Sequence, residues 1–130
     1  MSSTSSDLVP GLALTREQAL ALPGMRRYRL VEFLVRWEHF GAARELLESL
    51  VALKAGRFFY QYRLAQCCLA TGDVEQAKQM ARALHAAAAS RALGLLAVGD
   101  VFYVEGRLAR AEEYYRQALE IGRASCRERV

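Results

Sequence analysis

A chain of 130 residues that is 53% hydrophobic can bury a core of its own and falls within the size of one domain. Its two prolines, its abundance of Ala, Leu, Arg and Glu, and its lack of period-two β-branched runs exclude a sheet protein. No apolar stretch approaches the ~20 residues of a membrane-spanning helix, and the formal charge is +4.

The opening segment, Met1 to Asp7, has neither a basic start nor an apolar centre, so it does not resemble a secretory signal. Residues 1–14 are expected to be a disordered lead, and cytoplasm is the expected location. Thr15-Arg16-Glu17-Gln18 fits a capping box and starts a short helix through Leu22, which Pro23-Gly24 ends. A longer helix is expected from Met25 to Phe40, with Leu30, Phe33, Leu34 and Trp37 on its inner face and Gly41 as the stop. The next helix, Ala42–Lys54, turns Ala43, Leu46, Leu50 and Leu53 inward, and Ala55-Gly56-Arg57 breaks the chain again. Two further pairs follow: Phe58–Thr71 with Val74–Ala88, and Ala92–Glu105 with Leu108–Glu120.

These last two pairs superimpose at a spacing of 34 residues. Gly72 maps to Gly106, Ala65 to Gly99, Cys68 to Phe102, Val74 to Leu108 and Ala77 to Ala111. Small residues at 65, 77, 99 and 111 let the helices of a pair approach, and Gly72 and Gly106 can take the left-handed conformation that ends a helix. A single pair cannot cover its own apolar face, so neighbouring pairs are expected to stack. From Gly41 to Gly72 the spacing is only 31, which implies a tight connection near Gly56.

The series Leu95, Val98, Gly99, Phe102, Gly106, Leu108, Ala111, Tyr115 and Ala118 resembles the tetratricopeptide repeat. The second pair carries a looser version, and the first a degenerate one. The resemblance implies an all-α solenoid of about three antiparallel helix pairs (25–54, 58–88 and 92–120) after a short N-terminal helix. The proline that family places after the second helix is missing, so the turn near Ala86–Ala89 departs from the pattern. The resemblance also implies a protein-interaction scaffold rather than an enzyme, with the first helices of successive pairs lining a concave groove. Counting back from each glycine places Tyr28, Val31, Val35, Glu38 and His39 there in the first pair. It places Phe59, Tyr62, Gln66, Leu69 and Ala70 in the second, and Leu93, Leu96, Asp100, Tyr103 and Val104 in the third. The set is largely apolar and aromatic. With Val31 and Val35 where a carboxylate clamp would need cations, it favours a partner polypeptide with hydrophobic anchors. Gly56-Arg57-Phe58-Phe59, followed by Leu64-Ala65-Gln66-Cys67-Cys68, is similar to the second repeat of type III secretion chaperones. That narrower resemblance implies a holder of hydrophobic translocator segments.

Chemistry-bearing residues are sparse. Cys67-Cys68 has no second ligand pair for zinc, and adjacent helical cysteines point apart, so core packing is expected. His39 and His85 lack a nucleophile and an orienting acid in sequence pattern. Glu45, Glu48, Glu112 and Glu113 are read as solvated partners of Arg44, Arg110 and Arg116. Arg26, Arg27, Arg29 and Arg36 cluster on one helix but make too small a stripe for nucleic acid. Neither a catalytic residue, a metal site, a cofactor nor a nucleic-acid or membrane partner is expected, and the sequence leaves the oligomeric state open. Finally, Ile121 to Val130 resembles, residue for residue, the translation of a widely used short-read sequencing adapter. Residues 121–130 are therefore expected to be a non-native tail on a truncated protein, for which an N-terminal docking module is one alternative reading. Without Arg123, Arg127, Arg129 and Glu128 the formal charge falls from +4 to +2.

Overall fold

The computed structural model describes residues 7–53 and 58–129, with side chains through residue 122. Every regular element among them is helical. Contacts gather into two compact units, Met1–Arg57 and Phe58–Val130. The expected break at Ala55-Gly56-Arg57 lies outside the described residues.

The first unit holds α1 (Arg16–Leu20), α2 (Gly24–Arg36) and α3 (Phe40–Ala52). The capping box is present: Gln18 N donates to Thr15 Oγ1 at 3.1 Å, and Thr15 N donates to Gln18 Oε1 at 2.9 Å. Residues 7–14 differ from the expected disordered lead. Leu8 and Val9 are buried, Leu8 N donates to Leu14 O at 3.0 Å, and Gly11 turns the chain at φ 87°. Two adjacent apolar side chains are enough to tie this short loop down.

Arg27 is buried and organises the unit. Its Nη2 donates to Leu20 O at 2.7 Å and Leu22 O at 2.9 Å, and its Nη1 donates to Ser49 Oγ at 2.9 Å. The end of α1 exposes carbonyls with no helical partner, and a fixed cation suits that negative end. Arg16 also pairs with Glu45, joining α1 to α3.

The inner face of α2 differs from expectation. Arg27, Val31 and Leu34 are the buried set, while Phe33 and Trp37 are 46% and 62% exposed. The cause is the turn. Helix α2 stops at Arg36, and Glu38, not Gly41, takes the left-handed conformation at φ 63°; Gly41 lies inside α3. His39 N then donates to Leu34 O at 2.8 Å, as Asp73 N does to Cys68 O at 2.8 Å and Arg107 N to Phe102 O at 2.9 Å. Glu38, Gly72 and Gly106 are each 34 residues apart. The period is thus regular through all three pairs, and the spacing of 31 from Gly41 was a false register. In the corrected register Ala43, Ala77 and Ala111 are equivalent, and all three are buried.

The second unit contains α4 (Phe58–Ala70), α5 (Val74–Ala86), α6 (Arg91–Val104) and α7 (Leu108–Arg129). Consecutive helices pack as antiparallel neighbours, and α4 also lies beside α6. Leu64, Ala65, Cys67, Cys68, Ala77, Ala81, Leu84, Ala97 and Val101 form much of the core. In place of the missing proline, Ala87 is extended and Ala88–Ser90 makes one 3₁₀ turn. The buried Ser90 hydroxyl donates to Leu84 O at 2.6 Å, satisfying a carbonyl at the end of α5. Helix α7 runs to Arg129, past the Glu120 limit expected from sequence.

Two glycines of α6 set its distance from its neighbours. A Cβ on Gly99 would lie 2.6 Å from Tyr115 Cε1, in keeping with the small-residue role expected for it. A Cβ on Gly94 would lie 2.4 Å from the backbone nitrogen of His85, so α5 and α6 meet there backbone to backbone. Among the described residues, no single helix is long and apolar enough to cross a membrane.

Candidate functional site

Helices α4 and α6 run side by side in the second unit, and their shared face carries most of the sequence-selected groove residues. Tyr62 on α4 donates its phenolic hydrogen to Asp100 Oδ2 on α6 at 2.9 Å. One turn along α4, Gln66 Nε2 donates to the same Tyr62 oxygen at 2.9 Å. Arg63 Nη1 donates to Gln66 Oε1 at 3.0 Å. From the other side Tyr115 on α7 donates to Asp100 Oδ1 at 2.5 Å. Each carboxylate oxygen of Asp100 therefore receives one phenol. The whole is a directional chain from a guanidinium through an amide and a phenol to the carboxylate.

This arrangement fixes protonation states. Burial first, then the charge of Asp100 and its hydrogen bond, push the Tyr62 phenol well above the ordinary tyrosine range. Burial again leads for Tyr115, followed by its hydrogen bond to Asp100 and that carboxylate's charge, with the same upward direction. Both phenols stay protonated and remain donors.

Around this polar centre the chain presents apolar surface. Phe59 is exposed at 36% and stands 4.7 Å, ring centre to ring centre, from Tyr60; Tyr103 is exposed at 61%. Leu93 and Leu96 are half-buried. At 100° per residue, 93, 96, 100 and 103 share one side of α6. The structure thus brings together Tyr62, Gln66 and Asp100, flanks them with Phe59, Leu93, Leu96 and Tyr103, and adds Tyr115 and Arg63. Sequence reasoning missed Tyr115 because it occupied a core position of the repeat; the signal was its hydroxyl, which a half-buried tyrosine must satisfy.

In the first unit, Tyr28 and Val35 are half-buried on α2, but Val31 is fully buried with Leu34. Val31 is therefore corrected from groove residue to core residue. In the 34-residue register it is the equivalent of Ala65 and Gly99, the close-approach position, and Tyr28 takes the place assigned to it, as the equivalent of Tyr62 and Leu96.

Residues 94–123 match the family described as Tetratricopeptide repeat. This stretch is a tetratricopeptide repeat. It comprises most of α6 and the first part of α7, and so contains Asp100, Tyr115 and the Gly99 contact between them. A comparison with curated proteins finds no match. Tetratricopeptide repeats are protein-interaction modules, and here the repeat supplies Asp100, the acceptor for the Tyr62 hydroxyl of α4.

Proposed function

We propose that this chain is a non-catalytic scaffold and that the shared face of α4 and α6 receives a segment of a partner polypeptide. The observation that carries this reading is the convergence of Tyr62 and Tyr115 on Asp100, with Gln66 donating to Tyr62, between exposed aromatic and half-buried aliphatic side chains. A hydrogen-bonded centre held in place before binding costs little ordering when a ligand arrives. Each Asp100 oxygen keeps acceptor capacity after taking one phenol, so the carboxylate can also accept from a backbone N–H or a cationic side chain of the partner. Phe59, Leu93, Leu96 and Tyr103 supply the anchoring surface. Large exposed apolar residues around fixed polar groups are the usual composition of an interaction face. By register, Tyr28 and Val35 in the first unit take the same role.

Site-specific photocrosslinking tests the reading. A crosslinker replacing Leu96 or Tyr103 should capture a defined partner segment in source-cell extract, and one replacing Arg116 should not. Introducing Leu96→Glu together with Phe59→Glu should abolish that capture while leaving helical circular dichroism and melting temperature unchanged. Equal crosslinking at all three positions, or undiminished capture by the double variant, would remove the α4–α6 face from consideration.

A further inference from the structure

Opposite Asp100, α6 has a second face with a different chemistry. Val98, Val101, Phe102 and Glu105 recur at helical spacing and point roughly 180° away from residues 93, 96, 100 and 103. They floor a cleft of about 390 Å³, walled by Lys78 and Arg82 of α5 and closed by Arg107. Phe102 is fixed in the floor by stacking on Tyr114, with ring centres 5.4 Å apart and planes 17° from parallel.

The charges of this cleft are unbalanced. Lys78 Nζ lies 3.3 Å from Glu105 Oε2, and that pair is internally neutral. Among the described residues, neither Arg82 nor Arg107 meets a carboxylate. Their positions along the cleft follow from the antiparallel register of α5 and α6, which the His85–Gly94 approach and the Lys78–Glu105 pair fix at two points. Arg82 stands toward Val98, and Arg107 stands beyond Glu105. Two uncompensated guanidiniums therefore bracket an apolar floor whose seven-residue rise along α6 is roughly 10 Å. In an extended chain residues i, i+2 and i+4 share one face and span about 13 Å, so acidic residues two positions either side of an apolar one can reach both guanidiniums.

We propose that this outer cleft binds a polypeptide segment in which a large apolar residue, best an aromatic one, lies between two acidic residues. The apolar side chain covers Val98, Val101 and Phe102, and the two carboxylates meet Arg82 and Arg107. Guanidinium forks favour planar carboxylates, and a floor without free donors favours a hydrocarbon anchor. The site is separate from the Asp100 face and does not depend on it.

The test uses the full chain and a fluorescein-labelled, acetylated and amidated peptide, Ser-Glu-Gly-Phe-Gly-Glu-Ser. Binding should be measurable by anisotropy, should weaken as salt is raised, and should shift the methyl resonances of Val98 and Val101. Arg82→Glu with Arg107→Glu should weaken it at least tenfold, as should replacing the peptide's Phe by Ala or its Glu residues by Gln. Leu96→Glu should leave it unchanged, which separates this site from the proposed partner face. The proposal is overturned if the charge-reversed protein binds equally well or the Phe-to-Ala peptide keeps full affinity. It also falls if 10 mM inorganic phosphate displaces the probe completely, since the cleft would then be a simple anion site. The methyl shifts are read on the unaltered protein, so their absence at saturating peptide also overturns it, whatever the variants do.

Discussion

The helix pair of the first unit and the last pair of the second keep the same 34-residue register with different materials. At the turn, Glu38 takes a left-handed conformation that Gly106 adopts without strain. At the close-approach position Val31 stands where the last pair has Gly99. The first unit compensates with polar ties, above all the four hydrogen bonds of Arg27 to Leu20, Leu22 and Ser49. The second relies on backbone proximity at Gly94 and on the Tyr62–Asp100–Tyr115 cluster. A common backbone frame therefore does not require a common interior; it requires that each turn close and each helix contact find some means of support.

The comparison can be broken most forcefully at Arg27. Arg27→Ala should leave the carbonyls at the end of α1 without donors and cost about 3 kcal/mol. Hydrogen exchange should quicken across α1 to α3 and stay slow in α4 to α7. Loss of protection in both units alike would mean that they unfold together and that the contrast is only geometric. Gly94→Ala is the counterpart in the second unit. Its methyl would meet His85 backbone rather than a movable side chain, so about 2 kcal/mol should be lost. Gly99→Ala should cost less, because Tyr115 can rotate away, though its bond to Asp100 should then be lost. Chemical denaturation of the two variants measures the order, and a costlier Gly99→Ala would reverse it.

Smaller effects sharpen the contrast. Glu38→Gly should stabilise the first unit by about 1 kcal/mol, since a non-glycine residue in the left-handed region costs about that much. Gly106→Glu should destabilise the second by a similar amount. A last difference is in alkali. The phenols of Tyr62 and Tyr115 are raised in the folded chain above the value of about 10 in an unfolded one. Their contribution is therefore complete below pH 10 and is lost as the pH rises further, through the folded values. Denaturation midpoints between pH 8 and 11.5 should fall in the unaltered chain and fall less with Tyr62→Phe and Tyr115→Phe. Equal slopes would detach the two phenols from the alkaline loss.

The fold was legible where the turn residue was a glycine. Gly72 and Gly106 announced the left-handed positions and fixed the register of four helices. Before α3 the same conformation fell to Glu38, which carries no such signal, and nearby Gly41 displaced the register by three residues. Helical spacing makes that error partial. Tyr28 and Val35 stayed on the intended face because a shift of three keeps a residue nearly in place, whereas Val31 moved into the core. At the candidate site, Tyr62, Gln66 and Asp100 were chosen as groove positions of the repeat, but their hydrogen-bonded union was not foreseen. It depends on a crossing between α4 and α6 that no local pattern encodes. Gly94 left only a weak trace, a glycine within an apolar helix where alanine would be favoured by about 1 kcal/mol.

Considered as a mechanical joint, the Gly94–His85 contact has a consequence of its own. Helices separated by side chains can yield gradually under load, because rotamers rearrange as the axes slide. Two backbones in direct contact have no such intermediate positions. Tension applied across α5 and α6 should therefore meet stiff resistance over a short extension and then sudden release, making this seam the brittle element of the second unit.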